Sequence, residues 1–328
     1  MRNLYDNKTI SNLDIFSKEQ AIEIKQIFQK ILDKFYFDKQ HRVDTKKSYQ
    51  KIVNLLIKYY PYISSEKLTR EQVIFWRNDL LQSIKNTSWN TYSRHCHAIF
   101  NFAIEYHLVN RLDNPFSKTQ VRKEKSQHKL IPQVQLQYLD KLLITPDLYI
   151  TIIPNYLQPW WFTLAILHIL RFTAIRRSQL LKLKISNIDL SQKTIFISEE
   201  INKNHNYYII PINKKLHPHL ERLIVEHRKS NSNKNSQLFN INLFSESTRN
   251  KNKIMTTDQL THLFRVLSKH LNFKLSPHRF RHTIATQLMR KPQNVYITQK
   301  LLGHKNIQTT LCYIEYDIDM IRKHVEKL

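Results

Sequence analysis

The sequence predicts a mainly α-helical protein with one small β-hairpin or sheet in its C-terminal half. Two observations carry this. Apolar residues recur at three- and four-residue spacing over most of the chain, the signature of amphipathic helices. Only 194–198 and 207–211 read as strands, with β-branched and aromatic residues flanking a polar, basic stretch at 199–206.

In the first half the helical period runs over 20–37, 45–60, 69–83 and 88–109. Thr69 with Gln72 resembles a capping box, in which hydroxyl and amide satisfy each other's backbone N–H groups. Ser88 is the expected N-cap of the fourth helix. The stretch 110–116, with Asn114-Pro115 in it, stops that helix. The next stretch, 117–130, has no apolar period and carries Lys118, Arg122, Lys123, Lys125 and Lys129 against one acid, Glu124. It reads as a basic linker, although a solvated surface loop fits the composition equally well. In the second half helices are expected over 133–143, 159–173, 177–183, 214–229, 257–271, 277–290, 295–302 and 307–314. The organisation is therefore an N-terminal extension (1–19), a helical domain (20–116), the linker (117–130) and a second domain (131–328). The length of 328 residues and the 41% apolar content suit two ordinary cores.

The charge is the loudest global property. Fifty-two basic residues stand against 26 acidic ones, a net charge of +26. The first partner this implies is a polyanion, and nucleic acid is the commonest. Richness in Lys, Asn and Ile also fits a biased base composition, which would not by itself halve the acids. The two cysteines, Cys96 and Cys312, are expected to be free thiols in a reducing cytosol. No signal peptide is read at Met1–Ile10. The longest apolar stretch, 160–170, is interrupted by His168 and too short to span a bilayer. A cytoplasmic, nucleoid-associated protein with no membrane partner is expected.

Glycine usage excludes whole classes. Gly303 is the only glycine. A dinucleotide fingerprint needs several and a phosphate-binding P-loop at least two. No HExxH occurs and the cysteines are far apart, so a zinc site is poorly served. Neither cofactor nor metal is expected. Gly303 itself, between Leu302 and His304, reads as a helix C-cap in the left-handed region, where a Cβ is penalised.

That glycine sits in the densest chemical stretch of the chain: His278-Arg279-Phe280-Arg281-His282, then Leu301-Leu302-Gly303-His304, then Thr309-Thr310-Leu311-Cys312-Tyr313. His-x-x-Arg alone is a weak pattern, since His168/Arg171, His219/Arg222 and His262/Arg265 repeat it. Only His278/Arg281 is followed by Leu-Leu-Gly-His and then by a tyrosine nine residues after the last histidine. It also follows Ser276-Pro277, a helix start where an anion can lie. Upstream, the segment 173–181 places Arg176 at another helix start, and Lys203 falls in the polar turn between the two strands.

Together these residues resemble the tyrosine recombinase (phage integrase) family. The segment around Arg176 is similar to that family's T-G-L-R-x-S-E-L box. Lys203 matches its hairpin lysine, with Pro211 at the matching spacing. His278 and Arg281 match its H-x-x-R, residues 301–304 its L-L-G-H, and Tyr313 its nucleophile. The helical first half, with Ser88-Trp89-Asn90-Thr91-Tyr92 leading a long helix, resembles the family's core-binding domain. The likeness runs from about residue 20 to the end.

The resemblance implies a site-specific DNA recombinase. A helical core-binding domain and a tyrosine-recombinase catalytic domain would clamp a duplex, and strands would be cut through a 3′-phosphotyrosine. It assigns catalysis to Arg176, Lys203, His278, Arg281, His304 and Tyr313. It implies double-stranded DNA as partner and a homotetramer on synapsed sites, from a monomer or weak oligomer when free. Accessory DNA-bending proteins fit the same picture. A terminal helix bearing Ile318, Ile321, Val325 and Leu328 on one face would be exchanged between subunits. Four departures stand out: Ala174 for the glycine before the arginine, Arg177 for a hydrophobic residue, Gln179 for the acid, and Arg279 for a frequent aspartate. Gln179 is expected to weaken the positioning of the basic groups. His282 and Cys312 read as packing residues, Cys312 as a buried one. The rival readings are a type IB topoisomerase and a non-catalytic, architectural or regulatory DNA-binding descendant of a recombinase.

Overall fold

The computed structural model describes residues 13–122, 129–145, 153–202, 207–245, 250–251, 253–314 and 325–326. The chain divides into two compact units, Met1–Ser126 and Gln127–Leu328. Lys203, Tyr316 and most of the expected terminal helix lie outside the described residues.

Among its described residues the first unit holds four helices: α1 (Leu13–Lys39), α2 (Val43–Tyr59), α3 (Arg70–Leu80) and α4 (Asn86–Glu105). Each turns one apolar stripe inward. Phe28, Leu32 and Phe35 of α1 meet Ile52, Val53 and Leu56 of α2 and Trp89, Ile99 and Phe100 of α4 in one core. Trp76 of α3 packs edge-on to Trp89 at 5.4 Å between ring centroids. The capping box at Thr69 and Gln72 forms as the sequence predicts. Ser88 does not cap α4. That helix begins two residues earlier, with Lys85 as N-cap and no side-chain cap bond. Its first turns are instead anchored by tertiary bonds: Asn86 Nδ2 donates to the Arg122 carbonyl, and Asn90 pairs with both backbone groups of Val121.

Those bonds also revise the expected linker. Residues 117–122 lie along α4, with Thr119 fully buried and its carbonyl accepting from Trp89 Nε1 at 2.8 Å. At the other end, Leu130 O accepts from Arg279 Nη1 and Ile131 N donates to Thr283 Oγ1, both at 2.9 Å. The stretch is thus tied down at each end within its own unit, which a loss of apolar period does not reveal.

The second unit is built round α6 (Trp160–Thr173), the stretch the sequence marks as most apolar. It is buried almost all round, as such a helix must be. It packs with α5 (Gln133–Ile144), α8 (His217–Lys229) and α10 (Pro277–Met289). Between them lie α7 (Arg177–Lys182) and a three-stranded antiparallel meander, β1 (Ile188–Asp189), β2 (Thr194–Ile197) and β3 (Tyr208–Pro211). β1 is too short to leave an alternating pattern, so the sequence predicts only β2 and β3. Ile195 pairs with Ile210 and Ile197 with Tyr208, which turns Ile195, Ile197 and Ile210 into the core. Tyr208 shares that inner face, a consequence of the two-residue strand period. Among the described residues the other α-helices are α9 (Thr257–His270), α11 (Val295–Leu302) and the single turn α12 (Gln308–Leu311). Among the described residues no helix is long and apolar enough to cross a membrane.

Candidate active site

Four helix boundaries and one strand converge on one site. α6 ends at Ala174, whose φ of 51° and ψ of 24° are left-handed. This is the position at which the resembled motif has glycine, so Ala174 carries a strain that glycine would avoid, on the order of 1 kcal/mol. The reversal sends the chain into Arg176, the N-cap of α7. α10 starts at Pro277, with Ser276 Oγ accepting from Arg279 N, and projects His278 and Arg281 one turn apart. α11 ends at Gly303 with φ 60° and ψ 45°, the left-handed C-cap that the sole glycine predicts. The chain then turns sharply to His304, and α12 leads into Tyr313.

Arg281 is the hub. It is only 5% exposed. Its Nη1 donates to the Ala174 carbonyl at 2.9 Å and its Nη2 to the Leu302 carbonyl at 2.8 Å. Nη2 also lies 2.9 Å from His304 Nε2. A guanidinium has no acceptor, so Nε2 accepts and carries no proton. His304 Nδ1 lies 2.9 Å from Thr310 Oγ1. Arg281 also hydrogen bonds the Tyr313 side chain. The Tyr313 ring is buried, parallel to His304 at 6.1 Å between centroids and 5.3 Å from His282. It rests on Ile284, Ala285, Met289 and Leu302.

Arg176 completes a second layer. Its backbone N–H donates to Gln179 Oε1 at 3.0 Å, and its Nη1 lies 3.5 Å from Asn202 Oδ1. Gln179 is fully buried, gives its amide N–H to Asn202 Oδ1 and accepts from the Tyr208 hydroxyl at 3.2 Å. The amide therefore knits the first box to the sheet, where the departure from an acid predicts weaker positioning. None of the ion pairs among the described residues involves Arg176 or Arg281.

Burial and like charge set the protonation states. Burial pushes the Arg281 guanidinium down to about 10, with Arg176 adding to the effect, so it stays charged at neutral pH. Burial, then Arg281 and Arg176, push His304 down to about 4, which fits the neutral ring that the hydrogen bonds require. Burial, then Arg177, Arg281 and Arg176, lower His278. Burial raises the Tyr313 phenol, opposed by Arg281. At neutral pH the described part of the site thus presents a charged Arg281, a neutral His304 and a protonated Tyr313. Among the described residues no cluster of His, Cys, Asp or Glu is arranged to hold a metal ion.

Of the six residues singled out in the sequence, Arg281, His304 and Tyr313 touch one another. Arg176 and His278 lie within electrostatic reach of Arg281. Lys203 falls outside the described residues. Cys312 is exposed, not buried as expected, because the turn that buries Tyr313 points its neighbour outward. Sequence reasoning missed Tyr208, Asn202 and Thr310. Strand alternation places Tyr208 on the inner face, and that is the one signal that could have found it.

Residues 156–319 match the phage integrase family. A XerC-type tyrosine recombinase of Pseudomonas aeruginosa is 35% identical over 306 residues, covering 90% of this chain and 70% of that protein. A relative of the same name from Pseudomonas syringae is also 35% identical, and the chain spans 60% of its length. The chain belongs to the phage integrase family of tyrosine recombinases. Its activity is site-specific recombination, the cutting and rejoining of DNA. Solved structures share the fold at low identity. The integrase of transposon Tn1549, in complex with a circular intermediate DNA, superposes with a TM-score of 0.66 over 92% of this chain and 98% of that one at 18% identity. A lambda integrase dimer on a core site gives 0.63 over 88% of this chain and 97% of that one at 16%.

Gly303 gives the sharpest structural test. A Cβ there would meet three Tyr208 ring atoms at 2.6, 2.8 and 3.0 Å, on a backbone already left-handed. Gly303→Ala is expected to cost about 1–3 kcal/mol, from αL strain plus overpacking. Thermal unfolding checks this, and an unchanged melting temperature would show that Tyr208 moves aside freely.

Proposed function

We propose that this recombinase cleaves double-stranded DNA with Tyr313 as nucleophile and Arg176, Lys203, His278, Arg281 and His304 as its catalytic partners. The observation that carries the reading is the contact of Arg281 with both His304 and Tyr313 in a site that has two guanidiniums and, among the described residues, no carboxylate paired to them. Such a site is built for an anion that arrives from outside.

The chemistry needs no external energy source. The Tyr313 oxygen attacks the phosphorus, the bond to the 5′ oxygen breaks, and the strand is held as a 3′-phosphotyrosine with a free 5′-hydroxyl. Arg176 and Arg281 clamp the non-bridging oxygens, and preorganised donors of this kind are worth about 3 kcal/mol each. Neutral His278 can take the phenolic proton as it leaves. Lys203 protonates the departing 5′ oxygen. Attack by a different 5′-hydroxyl reverses the step and joins new partners with the same number of bonds.

The +26 charge supports DNA as the partner. So does the exposed face of α2, where Lys47, Lys51 and Lys58 line up with Gln50 and Asn54. The first unit acts as the core-binding domain and the second as the catalytic domain. Four protomers assemble on two synapsed sites in the cytoplasm, with accessory DNA-bending proteins as further partners. The terminal segment 318–328 couples neighbouring subunits through its apolar stripe.

A pool of nicked duplexes of random sequence tests the nucleophile and reports the target sequence together. Wild-type protein and Tyr316→Phe should trap covalent adducts, while Tyr313→Phe should shift the same DNA in a gel without any adduct. Loss of adduct in Tyr316→Phe instead would move the nucleophile, and no adduct from wild type would leave a DNA binder. Lys203→Ala should slow cleavage of the recovered duplex at least tenfold more than cleavage of the same duplex with a 5′-bridging phosphorothiolate. Sulfur leaves with little need of a proton. Equal defects on both substrates would confine Lys203 to positioning.

A further inference from the structure

His304 faces two incompatible demands, and Thr310 is placed to reconcile them. In the structure its Nε2 accepts from Arg281, so its single proton sits on Nδ1 and is donated to Thr310 Oγ1. If His304, one of the catalytic partners of the proposed function, donates to a non-bridging oxygen of the scissile phosphate, the same Nε2 must turn from acceptor to donor. A lone pair facing an anionic oxygen is repelled, and Arg281 has its own oxygen to bind.

A neutral imidazole can make that change only by switching tautomer. One proton leaves Nδ1 for solvent and one arrives at Nε2, with no net charge change. Nδ1 then becomes an acceptor and needs a donor opposite it. A backbone carbonyl, a frequent histidine partner, could serve only the first tautomer. A hydroxyl serves both, because rotation about its C–O bond exchanges lone pair for proton. Thr310 is fully buried, and its backbone N–H is bound to the Ile307 carbonyl at 2.7 Å, so Oγ1 stays opposite Nδ1 whichever tautomer is present.

We propose that Thr310 is a positioning residue that lets His304 switch from the Nδ1–H form, which accepts from Arg281, to the Nε2–H form, which donates to the phosphate. The side chain never touches DNA. It acts by making the two tautomers nearly equal in energy. An unpaired buried N–H or ring nitrogen would otherwise cost one form its stability.

The inference rests on the proposed role of His304, and the experiment separates the two. Nitrogen-15 chemical shifts of histidine-labelled protein without DNA should show His304 as the Nδ1–H tautomer. An Nε2–H tautomer there overturns the proposal whatever the fate of the cleavage reading. Tyr313→Phe protein bound to the duplex recovered from adduct trapping should show Nε2–H, and persistence of Nδ1–H also overturns it. In single-turnover cleavage Thr310→Val, which keeps shape and loses the hydroxyl, should be at least tenfold slower with unchanged DNA affinity. Thr310→Ser should cleave within about threefold of wild type. Equal rates for Val and Ser variants that melt alike would reduce Thr310 to packing. Should no variant, wild type included, trap DNA, the fault lies in the cleavage reading, and the free-protein tautomer still decides the role of Thr310.

Discussion

The placement of one buried guanidinium governs the site. Arg281 is taken out of water with no carboxylate among the described residues to neutralise it, and isolated buried charge is among the most expensive arrangements in a protein. Two main-chain carbonyls, Ala174 O and Leu302 O, and one imidazole nitrogen carry it instead. Each partner is a dipole, strong enough to hold the cation and too weak to cancel it. The unspent charge is what remains available to a phosphate.

Both carbonyls come from helix ends, where the last turn leaves acceptors unsatisfied. Both of those helices end in left-handed residues, Ala174 and Gly303. At Gly303 the sequence supplies its only glycine, and the ring of Tyr208 fills the space a side chain would need. At Ala174 it does not, and the strain is borne by a residue packed on every side. The β3 strand closes the arrangement, since Tyr208 reaches Gln179 with its hydroxyl and Gly303 with its ring. The arginine-bearing turn, the sheet and the His304 turn thus share one tyrosine.

Much of this was legible from side-chain identity and spacing. The helices follow from apolar periodicity, the Thr69 cap from its partner Gln72, and the turn at Gly303 from glycine scarcity. His278, Arg281, His304 and Tyr313 were legible because their types and intervals are unusual together. What escaped is tertiary. Lys85 starts α4 because Asn86 and Asn90 bond to residues 121 and 122, more than 30 positions away. Tyr208, Asn202 and Thr310 look like ordinary polar residues until the fold sets them against Gln179, Arg176 and His304. Gln179 read as a weakened acid because a sequence does not show that its amide has a buried acceptor waiting. Cys312 read as buried because a one-turn helix gives no reliable face.

The measurement that bears most directly on the central claim is cleavage by Arg281→Lys. Lysine keeps the charge and loses the planar fork that reaches two carbonyls and an imidazole together. The recovered duplex should bind within about threefold of wild type, while single-turnover adduct formation falls at least about 100-fold, the scale of removing a preorganised donor. Near-normal cleavage by the lysine variant would mean that charge alone suffices, and that the carbonyl-and-imidazole cradle of Arg281 is not what prepares the site.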